Sequence, residues 1–238
     1  MKKAILPLML LIIGVSLVAL ESAPSDVVGF VKVPCGAGFT PFAVPFTCYD
    51  GSGVETMALA DIVGPYMTGG MPFNADKVWN ITDNSTSYKA TTGAFVGFQD
   101  FTNGHAYLMQ NKHTAFDMYI AGKVEQEVVD YGTMGMGFNA VGFKDAGMTS
   151  LNDLDLLASG FTGGMPFNSD KIWDLTNNST AYYSTISSSW VGFTTITPGH
   201  AYLIQVKNSA FTWVYDPTTR GEDTTPQFET QNTKNTRR

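Results

Sequence analysis

The chain is poor in charge, cysteine and histidine. Only 15% of its 238 residues are charged, and 14 basic against 21 acidic residues give a net charge of −7. The only Lys/Arg cluster lies in the last few residues, so the composition speaks against nucleic acid and anionic lipid as partners. With two cysteines and three histidines the chain also lacks an evident ligand set for a metal ion. We therefore expect no metal and no cofactor.

The sequence also lacks the common catalytic motifs. It contains no Gly-x-Ser-x-Gly, no His-Glu-x-x-His and no phosphate loop. His105 and His200 look catalytic because they recur in a repeat, but we interpret them as turn residues next to core tyrosines. We expect that the protein is not an enzyme, and a secreted hydrolase is the third interpretation.

The N-terminus predicts a signal peptide. Lys2 and Lys3 are followed by an apolar run from Ala4 to Leu20 and then by a short polar stretch. The apolar run is shorter than a membrane span and contains a proline, so an uncleaved anchor is the weaker alternative. The sequence therefore predicts an exported, extracellular or cell-surface protein with no stable membrane span after cleavage.

The strongest positive signal is an internal repeat. Thr68–Asn74, which reads Thr-Gly-Gly-Met-Pro-Phe-Asn, returns unchanged at Thr162–Asn168, a shift of 94 positions. A duplicated sequence predicts a duplicated fold. We predict a mainly β protein with two homologous β-rich units, sandwich- or barrel-like, each with one short helix. The predicted segments are a signal peptide at 1–23, β-repeat unit 1 at 24–122, β-repeat unit 2 at 123–216, and a polar, disordered tail at 217–238.

Short runs of apolar and β-branched residues between turn residues predict the strands. The predicted strands are 27–33, 39–46, 77–81, 87–90, 94–98, 106–110 and 115–120, then 171–175, 181–185, 190–193, 201–206 and 210–215. Strand 27–33 is apolar on both faces and is expected to be buried on both sides, in a hairpin with 39–46. A capping box at Ser52 and Glu55 predicts a helix to about Val63, and Ser150 and Gly160 are expected to begin and end its counterpart.

Cys35 and Cys48 are the only cysteines. In an exported chain, two cysteines at the open end of a predicted hairpin favour a disulfide. Two buried thiols are the alternative.

Duplicated aromatic residues give the candidate sugar-stacking positions Trp79, Tyr88, Trp173 and Tyr182; ordinary cross-strand packing is the alternative interpretation.

Four Asn-x-Ser/Thr sequences give the candidate glycan acceptors Asn80, Asn84, Asn177 and Asn178. Oxygen-bearing side chains around the repeat could hold calcium but lack the spacing of a calcium loop, so turn capping is preferred. These side chains are Asn74, Asp76, Asn80, Asp83, Asn84, Asn168 and Asp170.

Several segments occur in a characteristic order over residues 27–215. They read Val-Val-Gly-Phe-Val-Lys-Val, Ala-Gly-Phe-Thr, Asp-Lys-Val-Trp…Tyr, Gly-His-Ala-Tyr-Leu and Ala-Gly-Lys-Val-Glu-Gln. This order resembles exported two-copy β-repeat proteins of planctomycete- and verrucomicrobia-type bacteria. The chain departs from them in its cysteines and in His-Ala-Tyr where they have a Gly-aromatic pair. The resemblance implies export and β-repeat architecture, and it implies no activity.

These patterns favour an exported, non-enzymatic structural protein of the cell surface or extracellular matrix. We expect self-assembly into filaments by strand addition, with the chain itself as partner. The candidate inter-subunit strand consists of Val27, Val28, Phe30, Val31 and Val33, because an apolar strand must be covered and repeated units can join head to tail. A pair of carbohydrate-binding, adhesive modules with polysaccharide as partner is the alternative.

Overall fold

The computed structural model describes residues 28–50, 52–124, 127–144 and 147–216. Within them the protein is mainly β, as predicted. The first strand set comprises β1 (Val28–Cys35), β2 (Gly38–Ala43), β3 (Thr47–Tyr49), β4 (Glu55–Thr56), β5 (Lys77–Asn80), β6 (Ser85–Lys89), β7 (Phe95–Val96), β8 (Ala106–Asn111) and β9 (Phe116–Lys123). The second strand set comprises β10 (Val129–Met134), β11 (Gly137–Gly142), β12 (Thr149–Ser150), β13 (Lys171–Asp174), β14 (Ser179–Ser184), β15 (Ser189–Val191), β16 (Thr195–Ile196), β17 (Ala201–Val206) and β18 (Phe211–Tyr215).

Helical structure is sparse. The described residues include α1 (Leu59–Ile62), α2 (Leu156–Ser159) and a 3-10 turn at Leu151–Asp153. In this part of the chain no helix is long and apolar enough to cross a membrane.

Each strand set contains a five-stranded antiparallel sheet, and the two sheets have corresponding strand orders. The first is β2-β8-β5-β6-β7 and the second is β11-β17-β13-β14-β15. Successive side chains on a strand point to opposite faces, so each sheet has an inward and an outward face. Val78 is fully buried whereas its neighbour Trp79 is 37% exposed.

A second sheet covers the inward face of each five-stranded sheet. In the first strand set its order is β1-β9-β3-β4, and in the second set β10 pairs with β18. Both sheets of a set contribute to one core, as in other two-layer β folds. Met118 and Ile120 join Phe42 and Tyr107 in the first core. The second core holds Val141, Tyr202, Ile204, Trp213 and Tyr215.

Strand β1 does not behave as the sequence predicts. It pairs with β9 along its whole length, whereas β2 pairs with β8, so the predicted β1–β2 hairpin is wrong. Its burial alternates: Val31 and Val33 are buried, while Val28 and Phe30 are 62% and 68% exposed. The strand is thus covered on one face by its own core. Val27, the signal peptide and the tail lie outside the described residues.

The predicted disulfide is also contradicted. Cys35 and Cys48 are buried free thiols. They lie on strands that flank β9 on opposite sides, with Cys35 opposite Phe116 and Cys48 opposite Gly122. Six residues along a strand span about 20 Å, whereas a disulfide needs Cα atoms within about 7 Å.

The helix predictions are only partly right. Glu55 belongs to strand β4, and α1 begins after Ala58 with no side-chain cap, so the predicted capping box is wrong. Ser150 does cap, because its hydroxyl accepts a hydrogen bond from Asn152 N, but it caps the 3-10 turn. Gly160 ends α2, where its φ of 121° suits a glycine.

The two strand sets contact each other through reciprocal hydrogen bonds. Ala43 N donates to Gly199 O at 2.8 Å, and Gly142 N donates to Gly104 O at 2.9 Å. The hydroxyl of Thr82 donates to Ala140 O, and that of Thr176 donates to Pro41 O. In each pair of bonds, the second bond joins the residues that correspond to those of the first, with donor and acceptor exchanged between the strand sets. This is the pattern of an interface built around a twofold axis.

Candidate functional site

The outward faces of the five-stranded sheets carry a large set of corresponding side chains. We call the group of outward-facing side chains on each five-stranded sheet a platform. The first platform consists of Phe39, Pro41, Lys77, Trp79, Thr86, Tyr88, Val96, Leu108 and Gln110. The second consists of Phe138, Ala140, Lys171, Trp173, Thr180, Tyr182, Val191, Leu203 and Gln205.

Both platforms expose aromatic and apolar side chains to solvent. Phe39 and Phe138 are 58% and 61% exposed, and Val96 and Val191 are also exposed. Trp173, Tyr88 and Tyr182 are half-buried. Exposed apolar side chains that adjoin one another on a flat sheet are typical of surfaces that bind a partner or ligand.

A lysine lies over each platform tryptophan. Lys77 Nζ is 6.0 Å from the centroid of the Trp79 ring, and Lys171 Nζ is 5.9 Å from that of Trp173. These distances fit cation–π contacts. The lysines are the only charged side chains among the nine positions of each platform.

Side-chain identity between the two sheets is concentrated on the platforms. Eight of the nine platform positions carry the same residue in both sets, and Pro41/Ala140 is the exception. Of the twelve inward positions, only Gly38/Gly137, Ser85/Ser179 and Tyr107/Tyr202 match. The other nine differ: Thr40/Asn139, Phe42/Val141, Val78/Ile172, Asn80/Asp174, Ser87/Ala181, Lys89/Tyr183, Phe95/Trp190, Met109/Ile204 and Asn111/Val206.

The outward face of the other sheet gives an internal control for this comparison. Corresponding outward positions on β1 and β9 and on β10 and β18 all differ between the sets: Lys32/Asp130, Pro34/Thr133, Asp117/Thr212 and Tyr119/Val214. Since these exposed positions and most core positions have diverged, packing alone does not explain the matching platforms.

The structure places the four predicted sugar-stacking residues on these platforms. Trp79 and Tyr88 lie on the first, and Trp173 and Tyr182 lie on the second. Phe39, Phe138 and the two lysines were not among the predicted site residues. A usable signal was present, because Gly-Phe recurs at Gly38-Phe39 and Gly137-Phe138 before matching strands.

The repeated histidines directly precede β8 and β17, and their rings contact the turns that follow β5 and β13. His200 Nδ1 is 2.9 Å from Asp174 Oδ2, and His105 Nδ1 is 3.1 Å from Asn80 Nδ2 and 3.3 Å from Asp83 Oδ2. The first turn contains Asn80 and Asp83, and the second contains Asp174 and Asn177. Each turn therefore has one amide and one carboxylate side chain.

These turns are built by their own side chains. Asn80 Oδ1 accepts from the amides of Thr82 and Asp83, and Asp174 Oδ1 accepts from those of Thr176 and Asn177. Burial alone would raise the pKa of Asp174, but hydrogen bonds from His200 and the turn amides lower it. The geometry is that of Asx turns that also fix a histidine ring.

Each histidine borders a cleft between the strand sets. His105 contributes to a cleft of about 430 Å³ with Tyr131, Asn139 and Lys144, and His200 to one of about 300 Å³ with Val31 and Pro41. The two clefts occupy corresponding places. In the described ranges no group of three or more His, Cys, Asp or Glu side chains could hold a metal ion.

The candidate calcium ligands Asp76 and Asp170 are buried and serve the repeated loop. Asp76 accepts from the amides of Thr68 at 2.7 Å and Lys112 at 2.8 Å. Asp170 accepts from the amides of Thr162 and Lys207, both at 2.7 Å. These carboxylates therefore hold the Thr-Gly-Gly-Met-Pro-Phe-Asn loop closed. In the second loop Asn168 Oδ1 accepts from Met165 N at 2.9 Å, and Asn74 occupies the corresponding position in the first.

The candidate glycan acceptors have different surroundings. Asn84 and Asn178 are exposed and have φ near +50°, a left-handed conformation that asparagine tolerates in turns. Asn177 is exposed but its amide donates to Asp174. Asn80 is 4% exposed and its amide donates to Asp83, so it is poorly placed to be modified.

Comparison with known proteins finds no matching family model, no matching curated protein and no matching solved structure.

Proposed function

We propose that the protein is an exported, non-enzymatic structural protein that holds polysaccharide on its two platforms. The observation that carries the proposal is the match between the platforms: the exposed side chains are the same in both strand sets while the cores beneath them have diverged. Flat aromatic faces can stack against the apolar faces of sugar rings, and half-buried tyrosines and tryptophans lose little conformational entropy when they do so.

Two platforms on one chain suit an adhesive or cross-linking role. Binding at the first platform raises the effective concentration of the polymer at the second, so weak sites together give firm retention. Polysaccharides repeat the same sugar unit along their length, which suits a protein that repeats the same surface. Export, which the N-terminal sequence predicts, would bring the chain to cell-wall or matrix polymers.

The test is retention on polysaccharides. Native protein should be retained on at least one of cellulose, chitin, β-1,3-glucan and xylan, and the double variant Trp79→Ala/Trp173→Ala should lose that retention. Each single variant should keep partial retention because one platform remains. Phe30→Ala is the matched control, since Phe30 is an exposed aromatic residue stacked on Tyr119 outside the platforms. Retention of the double variant at the native level would contradict the proposal.

A second candidate is assembly into filaments by strand addition at β1. The observation in its favour is that β1 is an eight-residue strand at the edge of its sheet. An edge strand presents backbone groups that a neighbouring chain could pair with. The candidate ranks second because Lys32 and Pro34 lie on β1, and natural proteins use such residues to keep edges from pairing.

Assembly can be tested without removing a strand of the fold. Native protein at high concentration should form fibres visible in negative stain. Val28→Lys/Phe30→Lys should abolish them with little change in melting temperature, because both side chains are already exposed. Native protein that stays monomeric in sedimentation experiments would rule this candidate out.

A further inference from the structure

The two platform lysines lack the contacts that fix Lys32, Lys112 and Lys207. Lys112 and Lys207 also correspond in the two sets, and each donates its Nζ to a loop carbonyl, of Phe73 or Phe167. Lys32 forms an ion pair with Asp117 at 2.7 Å.

By contrast, Lys77 and Lys171 have no hydrogen-bond acceptor and no carboxylate within the described ranges, and their ammonium groups face the tryptophan rings.

A lysine retained at the same place in both platforms is notable in so acidic a chain. The protein has 14 basic residues in 238 and a net charge of −7. The ammonium group is a compact charge with three donors, and here it lies next to the ring on which a sugar would stack. A bound sugar that carries a carboxylate can therefore place it against the lysine while its ring lies on the tryptophan.

We infer that the platforms bind a largely neutral polysaccharide carrying isolated carboxylate groups, with Lys77 and Lys171 each holding one carboxylate. This inference rests on the proposed function. Isolated carboxylates fit better than a densely charged polymer because the protein's net negative charge opposes a polyanion. The remaining platform positions are aromatic, apolar or uncharged polar, which suits the neutral part of the polymer.

The experiment uses the full-length chain and one matched pair of polymers. Affinity electrophoresis compares glucuronoxylan, a neutral backbone with scattered uronic acids, with the same polymer after carboxyl reduction. Native protein should bind glucuronoxylan about tenfold more tightly than the reduced polymer, the effect of one charge-assisted contact per platform. Lys77→Gln/Lys171→Gln should abolish this difference, so that the double variant binds glucuronoxylan no more tightly than it binds the reduced polymer.

Lys32→Gln is the control variant, because Lys32 also lies over an aromatic ring, 5.9 Å from the centroid of Tyr119, but outside the platforms. It should bind both polymers like the native protein. Equal binding of both polymers by native protein, or an unchanged preference in the double variant, would overturn the inference and leave the proposed function standing. If native protein binds neither of them nor any neutral polysaccharide tested above, the inference and the proposed function both fail.

Discussion

Trp213, in the second core, and Trp79, on the first platform, should respond very differently to replacement by alanine. Trp213 is fully buried, stacks on Tyr131 with ring centroids 4.0 Å apart, and donates its Nε1 to Leu154 O at 2.8 Å. Trp79 is 37% exposed on the first platform. The first is a core residue and the second, on our proposal, serves mainly a ligand.

The expected magnitudes follow from burial. Trp213→Ala leaves a cavity and an unpaired carbonyl, and should lower the free energy of unfolding by about 3–5 kcal/mol. Trp79→Ala removes cross-strand contacts on an exposed face and should cost about 1 kcal/mol. For a chain of this size 1 kcal/mol shifts the melting temperature by about 2–4 °C, so the two variants should be well separated.

The assay is urea unfolding followed by circular dichroism, with calorimetry as a second measurement. Trp213→Ala should unfold at much lower urea, and Trp79→Ala should unfold close to the native protein while losing polysaccharide retention when combined with Trp173→Ala. A loss of about 3 kcal/mol or more in Trp79→Ala would refute the reasoning, because the platform tryptophan would then be serving stability.

Three further outcomes are expected. Asp170→Ala should cost about 2 kcal/mol or more, measured by urea unfolding, because it leaves buried loop amides unpaired. Cys35 and Cys48 should react with a thiol reagent only after unfolding and without prior reduction, since burial raises the pKa of each thiol to about 12; a single linked peptide would contradict this. The lowered pKa of Asp174 stabilises the fold above the unfolded carboxyl pKa of about 3.9, and this contribution should be lost as pH falls through the folded pKa; Asp174→Asn should remove that part of the acid dependence, and an unchanged pH profile would show that the carboxylate contributes nothing.

Most of the five-stranded sheets could be predicted from the sequence. Ala201–Val206 matches its predicted bounds, and Lys77–Asn80 and Lys171–Asp174 each end one residue earlier than predicted. These strands alternate apolar and polar side chains and are bounded by turn residues, so local pattern alone defines them. Strands β10 and β11 were missed because Gly132, Gly135 and Gly137 interrupt the pattern.

The pairing of β1 could not be read from local pattern. Its partner β9 lies more than eighty residues away, and the apolar residues at Val28 and Phe30 suggest burial where the structure leaves them exposed. The disulfide prediction failed for the same reason, since it assumed a local hairpin. Long-range partners are set by the packing of whole sheets, which no short segment encodes.

The one mismatch between the platforms supports the functional argument, because it falls where the strand sets touch. Pro41 O accepts the hydroxyl of Thr176, and Ala140 O accepts that of Thr82. Ala140 also joins the small apolar cluster between the sets.

Beyond these positions the outward faces are covered by the opposite set, and the contact residues there are mixed. Ala43 corresponds to Gly142 and Ile81 to Leu175, whereas Ala106 and Ala201 match, as do Thr82 and Thr176. Identity is therefore nearly complete on the solvent-facing platforms and partial where the strand sets touch. Packing between the sets tolerates substitution, as the two cores do. The polysaccharide tests determine directly whether a ligand accounts for the match between the platforms.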